Sequence, residues 1–134
     1  MKKTVHVAEV LSEGGRDGRI FTPSGSLDLS LSTASRPEAV TPEHLFAGAY
    51  AACFFAAMQN AAKRSHCFIE GLTVMAQVSL IEDEQGAFFL HVRMRAAVPG
   101  MDRHRAEHLM HLAHQSSPYS SAIHGNVDVV LGTD

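Results

Sequence analysis

Between Leu45 and Met58 the chain runs for fourteen residues with no charged side chain and one hydroxyl, that of Tyr50. Such a stretch has to be hidden from water on nearly every side, and its flanks say in what form. Thr41-Pro42-Glu43 offers an N-cap, a proline at the first helical position and an acid in the first turn. Lys63 and Arg64 suit the negative end of a helix dipole. The expectation is an alanine-rich central helix beginning at Thr41-Pro42 and ending near Arg64. The apolar run falls short of the ~20 residues a bilayer crossing needs, and Gln59 and Asn60 close it. It reads as a core helix.

Around this helix the hydrophobic period changes. Val5 and Val7, then Leu27, Leu29 and Leu31, alternate with polar neighbours, the spacing of half-buried strands, with the turn Gly14-Gly15-Arg16-Asp17-Gly18-Arg19 between them. After a polar linker from Ser32 to Val40 and the helix, alternation resumes from Leu72 to Leu80. It continues from Phe88 to Ala96 beyond Glu82-Asp83-Glu84-Gln85-Gly86, so a long antiparallel hairpin is expected. Asp102 caps a second helix whose Ala106, Leu109, Met110 and Ala113 share one face. Ser116-Ser117-Pro118-Tyr119-Ser120 breaks it, and Val127, Val129 and Leu131 form a closing strand. The order predicts a single α+β domain over residues 1–134, with a mainly antiparallel sheet packed around the apolar helix. One short domain can hardly cover that helix all round, and a second copy of the chain is the economical cover, hence a homodimer.

Composition excludes several classes. With 46% hydrophobic and 19% charged residues the chain is not disordered, and a net charge of −3 without a Lys/Arg run gives no support for nucleic-acid or anionic-membrane partners. Two cysteines make no disulfide framework, and Met1-Lys2-Lys3 leads into His6 and Glu9 rather than an apolar signal core, so a cytoplasmic protein is expected.

Cys53, inside the apolar run, is either packing or a nucleophile. A buried thiol is inert unless something electropositive favours its thiolate. Three segments bear on the choice: Gly14-Gly15-Arg16-Asp17-Gly18, Thr41 to Ala47 with Tyr50-Ala51-Ala52-Cys53-Phe54, and Ser117-Pro118-Tyr119-Ser120 with Gly125-Asn126-Val127-Asp128-Val129. In order and spacing the chain resembles the organic hydroperoxide resistance proteins within the osmotically inducible protein C superfamily.

The resemblance covers essentially the whole chain. It implies a swapped dimer with active sites at the interface and a thiol peroxidase acting on alkyl or fatty-acid hydroperoxides without a cofactor. By motif, Cys53 is the peroxidatic cysteine, Arg16 its activator and Glu43 the acid holding that arginine. The chemistry is coherent, since a guanidinium never deprotonates and a carboxylate can offset its burial by bidentate pairing. Phe46, Phe54 and Phe55 would suit a substrate with a hydrocarbon tail, or are plain core aromatics. One geometric difficulty stands: on a straight helix Glu43 and Cys53 are about 15 Å apart along the axis. Irregularity near Ala47-Gly48, a non-helical first turn or contacts shared between subunits would each resolve it.

Many relatives carry a resolving cysteine immediately before Pro-Tyr-Ser, where this chain has Ser117. Cys67, the other thiol, is a poor substitute, because fourteen residues of continuous helix span about 21 Å while a disulfide needs Cα atoms within about 7 Å. A one-cysteine cycle is therefore expected, with the sulfenic acid reduced by an external thiol, the resemblance suggesting a lipoyl-type dithiol.

Other readings are a non-catalytic relative binding a hydrophobic ligand or a metal, and a cysteine hydrolase pairing Cys53 with a histidine. His104-Arg105-Ala106-Glu107-His108 matches an H-x-x-E-H zinc pattern, but His104, His108 and His111 fall opposite the apolar helix face and are expected in solvent. His44 and His66 sit near the ends of the first helix, where a surface role is the simple reading.

Overall fold

A computed structural model describes all of residues 1–134, which fall into two compact units, Met1–His44 and Leu45–Asp134. In the first, short strands alternate with glycine turns. Strands β1 (Leu11–Glu13), β2 (Arg19–Phe21) and β3 (Asp28–Ser30) form an antiparallel sheet in that order. Arg19 lies across it, in a bidentate pair with Asp28 at 2.8 and 3.0 Å and with its guanidinium 4.1 Å above the Phe21 ring.

The alternation of Val5 and Val7 does not become a strand. Both are more than 70% exposed, and residues 1–10 carry no regular structure. Alternation marks residues suited to a sheet face, but a strand exists only when a neighbour supplies the N–H and C=O partners, and none pairs with this segment.

The β1–β2 turn holds a single 3-10 turn, Gly15–Asp17, entered through Gly14 at φ +78°. A Cβ on Gly18 would stand 1.8 Å from the carbonyl oxygen of Glu13, so no side chain fits unless the backbone moves. Gly18→Ala is expected to cost about 1–3 kcal/mol, the usual range for forced overpacking, read as a lower urea midpoint at unchanged slope.

Helix α1 (Pro42–Arg64) starts where the cap predicted. His44 Nδ1 accepts the Thr41 N–H at 3.0 Å, as the third-position residue does in a capping box. The helix is long and apolar enough to cross a bilayer, a test that core helices also pass. Its Tyr50, Phe54, Ala57, Met58, Ala61 and Ala62 are in fact packed in a protein core.

That core belongs to the second unit. Strands β4 (Thr73–Glu82) and β5 (Phe88–Ala97) form the expected hairpin, with Val78 opposite Val92 and Ala76 opposite Met94. Val92, Met94 and Ala96 are fully buried and share the core with α1 and with Leu109, Met110 and Ala113 of α2 (Arg103–Ser116), the face the helical spacing predicted. Asp102 caps α2 by accepting the Arg105 N–H.

Two features were not foreseen. The Ser116–Ser120 break contains a helix start, α3 (Pro118–Ile123), capped by Ser117 with Pro118 in its first turn. Strand β6 (Asp128–Thr133) pairs with β5 in parallel, Val92 opposite Val129 and Met94 opposite Leu131. Parallel pairing requires a crossover, and α2 with α3 provides it.

Candidate functional site

Arg16 is carried on the glycine turn, and the turn is held by its neighbour. Asp17 accepts hydrogen bonds from the Thr33 N–H at 2.7 Å and from the Thr33 hydroxyl at 2.8 and 2.9 Å, which keep its carboxyl below the usual range. Arg16 then meets Glu43 in a bidentate pair, Nη2 to Oε1 at 2.7 Å and Nη1 to Oε2 at 3.1 Å. The bonds from Arg16 hold the Glu43 carboxyl low against the opposing effect of partial burial. Glu43 is 16% exposed in its side chain and Arg16 is 49%, so the guanidinium is tethered by one edge while much of it stays accessible. The arginine and acid singled out by motif are thus brought together.

Cys53 stands ten residues beyond Glu43 on α1, which is one uninterrupted helix from Pro42 to Arg64. The chain is helical from its first turn and through Ala47-Gly48, so neither of those two irregularities accounts for the ten-residue offset. The thiol is partly buried, with Sγ 3.3 Å from the Ser117 hydroxyl. Ser117 is fully buried and is the N-cap of α3, where it also receives the Ser120 N–H at 3.5 Å. Ser117, at the position where the sequence resemblance implies a resolving cysteine in many relatives, therefore reaches the sulfur directly.

The helix that carries Cys53 also carries a row of aromatic side chains. Phe46, Tyr50 and Phe54, at intervals of four on α1, meet edge to face at centroid spacings of 6.4 Å, and Tyr119 approaches Tyr50 at the same distance. Phe55, half-buried, packs on the outside of the core cluster. The Tyr50 hydroxyl lies 2.5 Å from Ser120 Oγ, and burial raises its pKa above the ordinary phenol value. Tyr50 and Ser120 were not recognised as site residues from sequence: Tyr50 was noted only as the one hydroxyl in the apolar run, and nothing local says which partner a buried hydroxyl will find seventy residues away.

Cys67 is a free thiol, as is Cys53, and it accepts an N–H from Arg105 at 3.3 Å. It opens, with His104 and His108, into a cavity of about 230 Å³. His104, His108 and His111 are exposed as expected, and no three His, Cys, Asp or Glu side chains converge on a metal position. His44 is engaged with Thr41, and His66 is the exposed left-handed residue (φ +52°) that ends α1.

Comparison with known proteins gives a consistent result. The OsmC-like protein model matches residues 35–132. An organic hydroperoxide resistance protein of Xanthomonas axonopodis pv. citri is 37% identical over 97% of this chain and 95% of its own length. The crystal structure of the organic hydroperoxide resistance protein OhrB of Bacillus subtilis superposes with a TM-score of 0.87 at 37% identity, covering 96% of this chain and 98% of that one. An organic hydroperoxide resistance protein from Legionella pneumophila gives 0.90 at 35% identity, covering 98% and 99%.

Proposed function

Since the chain belongs to the OsmC-like protein family, and within it is similar to the organic hydroperoxide resistance proteins, we propose that it reduces organic hydroperoxides to alcohols as a thiol peroxidase with Cys53 as nucleophile. The observation that carries this is the Cys53 thiol itself: partly buried on an apolar helix, with a hydroxyl at its sulfur and no disulfide partner.

In the proposed reaction the Cys53 thiolate attacks the distal peroxide oxygen, the O–O bond breaks, and the sulfur becomes a sulfenic acid. The alkoxide that leaves takes up one proton to become the alcohol. Arg16, kept cationic and oriented by Glu43, stabilises the thiolate and the charge shed on the leaving oxygen. An alkyl tail suits the aromatic row better than water does.

Because Glu43 and Cys53 are separated along an unbroken helix, we assign the Arg16–Glu43 pair of one subunit to the thiol of its partner in a homodimer. The exposed stripe Gly48, Ala49, Ala52 and Ala56 on α1, together with the exposed Val5, Val7 and Leu11, supports such a dimer, since small residues let two helices approach closely and an unpaired apolar segment seeks a neighbour. Sedimentation at twice the mass of one chain is the expected outcome.

With Ser117 at the sulfur, the cycle closes from outside. An external dithiol, of the lipoyl type in our reading, attacks the sulfenic acid, releases water and leaves a mixed disulfide, which its second thiol resolves, supplying two electrons in all. The setting we infer is the cytoplasm, with no cofactor. One equivalent of an alkyl hydroperoxide should convert Cys53 to a sulfenic acid that a dimedone-type reagent traps. In Ser117→Cys the same treatment should instead give a disulfide between Cys53 and position 117, because the existing contact of 3.3 Å already brings the side chains together. A quantitative Cys53–Cys67 disulfide in the parent, or no oxidation of Cys53, would refute the scheme.

A further inference from the structure

Beyond the contact of Cys53 with Ser117, one chain of polar groups, two of them buried and the third, His114, partly buried, has no role in the scheme above. His114, in the last turn of α2, places Nδ1 2.9 Å from Ser120 Oγ, the same oxygen that lies 2.5 Å from the Tyr50 hydroxyl. Tyr50 is 0% and Ser120 2% exposed. Three helices are joined by this chain, α2 through His114, α3 through Ser120 and α1 through Tyr50. Buried polar groups are costly unless paired, and phenylalanine and alanine would pack as well, so a packing role alone leaves the two buried hydroxyls unexplained.

From Ser120 two routes run toward the thiol, one through Tyr50 and one through Ser117. Tyr50 is three residues before Cys53 on α1, hence on the same side of the helix. Ser117, whose hydroxyl meets the sulfur, receives the Ser120 N–H within the first turn of α3. We propose that His114 is a positioning residue for Cys53, acting through Ser120, whose hydroxyl meets Tyr50 and whose N–H meets the Ser117 hydroxyl at the sulfur. This rests on Cys53 being the reacting thiol.

The imidazole also governs which way the chain of hydroxyls points. A neutral His114 can accept the Ser120 proton at Nδ1, which leaves Ser120 Oγ to accept from Tyr50. A protonated His114 can only donate, so the Ser120 proton turns to the Tyr50 oxygen and the Tyr50 proton is freed. Burial first, then the neighbouring His111 of α2 and His124 at the end of α3, hold the imidazole below its ordinary pKa, so this reversal belongs to the acid side of the histidine range.

The test compares the parent with His114→Ala, His114→Asn, Tyr50→Phe, His114→Ala/Tyr50→Phe and Cys53→Ser. Two readouts are taken against pH: the rate of iodoacetamide labelling of the Cys53 peptide, and turnover of tert-butyl hydroperoxide with dithiothreitol. His114→Ala should slow both about tenfold, the worth of one buried hydrogen bond. Asparagine, whose amide can occupy the Nδ1 position but cannot titrate, should recover the neutral-pH rate and lose the acid-side inflection. The double variant should be no slower than the slower single one, since both act through Ser120. Parent rates and an unchanged pH profile in His114→Ala, or no recovery in a normally folded His114→Asn, would overturn the inference. If Cys53→Ser turns over peroxide like the parent, the peroxidase reading fails instead, and the two failures are told apart.

Discussion

Cys53→Ser is expected to bring hydroperoxide turnover to the level of the reductant alone, a loss of at least about a thousandfold. The substitution is nearly isosteric, and Ser117 can still hydrogen-bond to the new hydroxyl, so the fold should survive. What disappears is the chemistry, because a serine oxygen in this apolar helix is neither ionised nor able to form a sulfenic acid. Arg16→Ala should lower kcat/KM by about 10²-fold, in the range seen when one preorganised charge-stabilising donor is removed. Arg16→Lys should not restore it, since an ammonium cannot reproduce the two-point contact with Glu43 at 2.7 and 3.1 Å. Steady-state assay with an alkyl hydroperoxide and a dithiol decides each case. Parent-like rates in Cys53→Ser would remove the enzyme from consideration.

The largest effect on stability should come from Phe54→Ala. Phe54 is fully buried, meets Tyr50 edge to face at 6.4 Å and belongs to the core that joins α1, β5 and α2. Truncation leaves a cavity that the surrounding helices and sheet can close only in part, at a cost of about 3–5 kcal/mol. Against a typical total of about 5–15 kcal/mol, that is enough to leave a measurable unfolded fraction. Urea unfolding at matched protein concentration, needed because the proposed dimer would couple stability to concentration, provides the check. A shift below about 1 kcal/mol would mean that the aromatic row on α1 is not the keystone of this core.

A second consequence of that row concerns substrate choice. Phe54 is committed to the core, whereas Phe46 and Phe55 are only partly buried and are free to contribute to an apolar wall. The even choice between core and substrate contact posed by the three phenylalanines in sequence is thus resolved toward core for Phe54 alone.

Much of this was legible in the chain because it depends on local physics. The fourteen uncharged residues and the Thr41-Pro42-Glu43 cap specify a long buried helix whatever surrounds it, and α1 runs from Pro42 to Arg64 as they require. Period-two alternation from Leu72 to Ala96 gives the β4–β5 hairpin, since a one-residue slip would turn every apolar side chain outward. Asp102 and the Ala106–Ala113 spacing place α2 for the same kind of reason. Arg16, Glu43 and Cys53 were found by motif, and Arg16 meets Glu43 as the motif implies.

Other features depend on partners distant in sequence, where a local pattern has no reach. Alternation at Val5 and Val7 says that the segment suits a sheet but not whether a neighbour exists, and within one chain none pairs with it. Periodicity cannot tell a parallel from an antiparallel closing strand, because both bury alternate residues, so the direction of β6 emerged only with the α2–α3 crossover. Histidine patterning drew notice to His104, His108 and His111, which are exposed, and passed over His114, at the edge of the apolar face, which is not.

By itself, then, the sequence determined most of the elements, the apolar helix that must be covered, and the thiol, arginine and acid to which the chemistry is proposed to belong. Tertiary structure alone decided that Ser117 stands at the sulfur and that Tyr50, Ser120 and the partly buried His114 are hydrogen-bonded into one chain. The physical reason is that burial and periodicity are properties of a segment, whereas a hydrogen bond between side chains on different helices, 6, 64 or 70 positions apart here, exists only once those helices have packed.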